Sequence, residues 1–195
     1  MAFRGEITPA DILPAAVYAA ERAQHRRVVV ALKRRRRIEV GPFITFFFEN
    51  YETMRFQIHE MLHIEKGGVE QIADELAAYN PLVPRGRELV ATFMIEIDNP
   101  ERRKSELARL GGIEEAAFLR FTGETIESRP EADQDRTTAE GKASSVQFVH
   151  FPFTPAQITA FKAAGEITLG FRHPHYQHMT LIPTAMRDTL AADFA

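Results

Sequence analysis

ELVATFMIEI (Glu88–Ile97) is rich in β-branched and aromatic residues and is stopped by Asp98-Asn99-Pro100, so it reads as a strand. Upstream, Ile38, Val40, Ile44, Phe46 and Phe48 alternate with other residues across Gly41-Pro42. That pattern predicts two short extended pieces or one bulged strand. Downstream, Phe118–Phe121 and Thr125–Ser128 flank Thr122-Gly123-Glu124 as a hairpin, and Ser144–Phe153 and Glu166–Arg172 read as two further strands.

Helical signals fill the intervals. Thr8-Pro9-Ala10-Asp11 has the cap, proline and acid of a helix start, and Leu13–Lys33 is rich in good helix formers. Glu49–Lys66 returns to helical spacing and stops at Gly67-Gly68. A second helix over Val69–Tyr79 stops at Asn80-Pro81, and a short one over Glu101–Leu110 closes at Gly111-Gly112. Thr154-Pro155 opens a helix that ends at Gly165, and a last one spans Pro183–Leu190. The expected fold is α+β: one domain over residues 1–195, a largely antiparallel sheet of about five or six strands, a basic helical segment over 1–36 and packed helices. Residues 129–142 are polar and charged and read as a mobile loop.

Composition narrows the chemistry. With no cysteine, thiolate metal sites, disulfides and cysteine nucleophiles are excluded, and any metal must rest on His and carboxylate. Neither a signal-peptide pattern in Met1–Pro14 nor an apolar run long enough to span a membrane is present, which points to the cytoplasm. No phosphate-cradling glycine loop or serine-hydrolase elbow appears. Residues 1–40 carry nine basic and four acidic side chains, a local +5, so the remainder of this −3 chain carries −8. Lys33, Arg34, Arg35, Arg36 and Arg37 form a block suited to a polyanion or an acidic partner; nucleic acid is disfavoured because no stacking aromatics accompany it.

Two histidine groups could carry chemistry. His59-Glu60-Met61-Leu62-His63 fits the zinc-hydrolase pattern, in which two histidines one helical turn apart bind the ion and the Glu activates water. Lys66 and Val69 stand where the extended form of that motif needs Gly and a third His. A helical wheel gathers Tyr51, Met54, Ile58, Met61 and Leu62 on one side and puts His59 and His63 on the other, looking outward. The second group, His173-Pro174-His175-Tyr176-Gln177-His178, follows a strand. Residues two apart in extended chain share a side, so His173 and His175 would form a two-pronged clamp for Fe, Mn, Ni or Zn. Glu49, Glu60 and Glu96 are the carboxylates to complete it; His59, His63, His150 and His178 are secondary candidates, and Tyr176 and Arg55 are candidate ligand-binding side chains.

FFFENYETMRFQIHEML, ELAAYNPLVP, ELVATFMIEI, ASSVQFVHF and FRHPHY together resemble a bacterial family, the domain of unknown function numbered 3501, over about Ile12–Leu190. The resemblance supplies no established activity. It implies a setting near rubrerythrin-like and iron–sulfur oxidoreductase proteins, and it makes Glu49, Glu60, His173 and Tyr176 typical of the family while the position of His63 is usually basic. The leading expectation is thus a metal- or small-ligand-binding accessory protein, redox-active in one version, linked to iron or oxidative-stress metabolism. The alternatives are an interaction module docking an acidic protein or nucleic acid through its basic helix, and an HExxH zinc hydrolase.

Overall fold

The computed structural model describes residues 4–131, 137–138 and 141–195. In chain order its helices are α1 (Ala15–Arg34), α2 (Tyr51–Glu65), α3 (Gln71–Tyr79), α4 (Pro100–Arg109), α5 (Pro155–Ala163) and α6 (Thr184–Ala191). The strands are β1 (Arg37–Val40), β2 (Ile44–Glu49), β3 (Glu88–Ile95), β4 (Ala117–Phe121), β5 (Glu124–Glu127), β6 (Arg129–Pro130), β7 (Val146–Pro152), β8 (Thr168–Phe171) and β9 (Met179–Leu181). The fold is α+β. Its strands form two antiparallel sheets rather than one, ordered β1-β2-β3-β7-β6 and β5-β4-β8-β9.

Alternation along the strands dictates the layering. Phe46 of β2 pairs with Phe93 of β3, and Ala91 with Val149 of β7, so one face of the larger sheet is predominantly apolar, with the buried Gln147 opposite Phe93 a polar member of it. That face meets the smaller sheet: Phe46 and Phe171 lie 5.4 Å apart across the interface, in offset aromatic geometry. The opposite face carries Val90 and Phe148, which pack under Met54 and Ile58 of α2, Leu76 of α3 and Ile7. The molecule is therefore a sandwich of two sheets with a helical layer on the outer face of one.

Local signals explain the boundaries. Asn50 caps α2 by accepting the Thr53 N–H, and Thr154 caps α5 by accepting the Gln157 N–H. The Thr8-Pro9-Ala10-Asp11 signal makes only a 3-10 turn, and α1 starts after Pro14. The Gly41-Pro42 interruption separates two strands of a hairpin and is not a bulge. Part of the segment expected to be a loop is ordered pairing: Arg129 lies opposite His150 and Pro130 opposite Val149. Residues 132–136 and 139–140 of that segment lie outside the described residues.

Candidate functional site

The HExxH stretch is an interhelical joint. α1 runs along the face of α2 that the wheel assigns to solvent, so His59 is buried and not outward-looking. Its Nε2 accepts the Leu13 N–H at 2.9 Å and its Nδ1 donates to the Arg55 carbonyl at 2.7 Å. Both nitrogens are spent on backbone, and burial holds the ring's pKa below its usual value, which favours the neutral form. Glu60 receives two bonds from Arg22, at 2.8 and 2.7 Å, and one from the Tyr18 hydroxyl at 2.6 Å. The Arg22 guanidinium, with Tyr18, holds its carboxyl down to about 2 against the opposing effect of burial. Tyr18 stacks on His59 at 4.7 Å and meets His63 edge-on at 6.0 Å. A zinc peptidase needs free nitrogens at both histidines and a carboxylate facing water, and this joint offers neither.

The carboxyl-proximal group is a folded turn. His173 is buried; its Nε2 donates to the Gly111 carbonyl at 3.1 Å, and its Nδ1 accepts the His175 N–H at 3.2 Å. The expected clamp fails because His173 is consumed in closing its own turn, while His175 turns to Arg109. Tyr176 is not a ligand contact either: buried, it donates to the Val40 carbonyl at 2.7 Å, and burial pushes its phenol up to about 12. His178 packs edgewise on Tyr176. Gly41, at φ +74°, makes room for this anchor, since a Cβ there would stand 2.6 Å from the Tyr176 hydroxyl.

The glutamates have separate employments. Glu49 is buried and accepts the Thr53 and Thr92 hydroxyls at 2.6 and 2.8 Å. Glu96 is exposed beyond the end of β3 and accepts the Thr45 hydroxyl. His150 lies between Glu88 and Glu131, and Arg55 pairs with Glu52 on its own helix. Among the described residues, no three His, Cys, Asp or Glu side chains come together in a way that could hold a metal ion. The five expected ligands are thus dispersed over the helical layer, the strand ends and the turn.

The basic block also divides. Arg36 is buried, donating to the Phe48 and Glu49 carbonyls and pairing with Asp193. Arg35 reaches Thr189, and Arg37 pairs with Glu39. Lys33, Arg34 and Arg35 are the members of the block left without an ion pair among the described residues. A stronger basic surface lies earlier in α1. This 20-residue helix buries only Tyr18 and Val29. Away from that stripe, Ala19, Ala23 and Val30 line an open groove of about 750 Å³ together with Arg26, Arg27 and Arg34. Arg22 and His63 stand at its α2 side. Arg26, Arg27 and Arg34 are exposed and form no ion pair among the described residues. The spacing of small residues and arginines from 19 to 34 was the available sequence signal, masked by the denser run at 33–37.

The profile of the family described as "Protein of unknown function (DUF3501)" matches residues 6–194. The chain belongs to this family. Among solved structures it is similar to a novel protein of unknown function from Burkholderia pseudomallei K96243, at 38% identity and a TM-score of 0.90, with 97% of this chain and 99% of that one covered. No curated protein matches. At such identity and TM-score the two chains share the fold, so the sandwich with its helical layer is the frame on which both place their surfaces. No helix among the described residues is long and apolar enough to cross a membrane.

Proposed function

We propose that this protein is a docking module, acting in the cytoplasm, whose α1 groove receives an acidic amphipathic helix of a partner protein. The observation that carries the reading is a seam of alanine and valine flanked by three arginines that form no ion pair among the described residues. Small residues let a second helix approach closely, and uncompensated guanidiniums favour carboxylates at its flanks. A second copy of α1 would bring like charges together. A nucleic-acid strand would gain nothing from the alanine floor and finds no stacking aromatic there.

The test is fluorescence anisotropy with a helical peptide bearing a leucine seam flanked by glutamates. Binding in the micromolar range should weaken about tenfold on raising salt from about 50 to 300 mM, and should be lost in Ala23→Glu and in Arg27→Glu. Equal affinity of the wild-type and Arg27→Glu proteins sinks the reading. Rubrerythrin-like and iron–sulfur oxidoreductase proteins, which the family resemblance brings forward, are the first whole partners to try in the same assay.

A further inference from the structure

His150 lies on the side of β7 that faces away from the inter-sheet core: Gln147, Val149 and Phe151 are buried, whereas Phe148 and His150 on the alternate face are half-buried. Both of its ring nitrogens point at carboxylates. Nδ1 is 2.9 Å from Glu88 Oε2 on β3, and Nε2 is 2.8 Å from Glu131 Oε2, the residue that follows β6. A neutral imidazole has one N–H, so it could satisfy one glutamate only and would set a lone pair against the other. With both glutamates ionised, hydrogen bonds form at both ends only when the ring carries two protons. All three side chains are less than one-fifth exposed, so water does little to relieve a mismatch. Among the described residues, Arg85, whose backbone N–H donates to Glu88 Oε1, and Arg129, which is opposite His150 in the β6–β7 register, are further charged residues beside the group. Because the carboxylates lie at opposite edges of the ring, no single ion could bind both of them and the histidine.

We propose that His150 is a pH-sensitive latch that, as an imidazolium, ties Glu131 and the short strand β6 to β7 and β3, and that releases Glu131 when it loses its proton. Burial by itself lowers the ring's pKa, but the hydrogen bonds to Glu88 and Glu131 outweigh it and hold it above the usual value. A raised histidine stabilises fully below its unfolded pKa of about 6.5 and loses that contribution as pH rises through the folded value. The latch is therefore closed in mild acid and opens toward alkali, the proton passing to solvent. Glu131 is the partner that yields. Glu88 sits on β3, which is paired on both sides, whereas β6 is two residues long and, among the described residues, pairs with β7 on one side.

Side-chain NMR of the histidines, with amide exchange of Glu131 corrected for its intrinsic rate, tests the latch in the full chain. His150 should show both nitrogens protonated at neutral pH and a midpoint above about 6.5. Protection of the Glu131 N–H, which donates to the Phe148 carbonyl, should fall at least about tenfold through that midpoint while Ala91 stays protected. In Glu131→Gln the side-chain amide can donate to neutral Nε2, so protection at residue 131 should persist and lose its pH dependence. A midpoint below about 6.5, unchanged Glu131 protection through the midpoint, or the wild-type pH dependence surviving in Glu131→Gln overturns the proposal.

Discussion

Glu60 shows how one side chain can look catalytic in sequence and be structural in space. It sits in a zinc-hydrolase pattern, yet three donors from α1 occupy its oxygens. A carboxylate with a depressed pKa contributes stability that is present above its unfolded value, near 4.5, and is lost as pH falls through about 2. Glu60→Gln should therefore lower stability by about 1–2 kcal/mol at neutral pH, with the gap to wild type closing in acid, as urea unfolding at several pH values would record. The figure is kept below what the shift alone implies because the Arg22 side chain is 35% exposed and screened. Gly41 makes the same point from the backbone. Its positive φ and the 2.6 Å approach to Tyr176 and His178 mean that Gly41→Ala should cost at least about 1–3 kcal/mol in the same measurement. Neither role was legible in the sequence, because the HExxH spacing and the His-Pro-His run report local geometry and say nothing of which backbone groups arrive from afar. Arg36 was hidden differently, as one of four consecutive arginines with nothing local to mark it as buried.

At the scale of elements, what could be read was what local chemistry determines. The Thr154-Pro155 start, the Gly41-Pro42 break and the Asp98-Asn99-Pro100 stop each act within a few residues: α5 starts at Pro155, β1 and β2 part at Gly41-Pro42, and β3 ends at Ile95, just short of Asp98. The outward face of α2 was misread because a wheel assumes one buried side, and α2 is packed between α1 and the sheet. β9 escaped because it has only three residues, of which Met179 and Leu181 are exposed, and the division into two sheets escaped because alternation along a strand does not report which strands pair. The β4–β5 hairpin, by contrast, was visible and carries a correctable strain. Thr122 and Gly123 both have positive φ, at 47° and 80°, and a β-branched residue pays for the left-handed region where asparagine does not. Thr122→Asn should raise stability by about 0.5–1 kcal/mol, seen as a rise of about 1–4 °C in Tm by calorimetry.

For the molecule as a whole, the question is what joins α1 to the rest, since the proposed groove must be presented on a fixed helix. The Tyr18–His59–Glu60–Arg22 joint holds its first half to α2. Beyond the end of α1, Arg36 goes beneath the sheet edge, donates to the carbonyls at the end of β2 and pairs with Asp193, whose neighbours are fixed in turn: Phe194 packs on Phe153 at 4.8 Å and Ala195 donates to the Gly86 carbonyl. One buried ion pair thus connects the helical layer, β2 and the segment after α6. A buried pair contributes little net stability against an apolar substitute, but removal of one partner leaves an uncompensated charge in a dry site. Asp193→Ala should therefore cost about 3–5 kcal/mol and lower Tm by about 6–20 °C, whereas the double variant Arg36→Met/Asp193→Leu should recover most of that loss. If the pair instead serves to set the position of α1, the double variant will regain its Tm and still bind the acidic helical peptide more weakly than wild type. Recovery of both would confine Arg36–Asp193 to stability alone and leave the α1–α2 joint as the sole element that positions the groove.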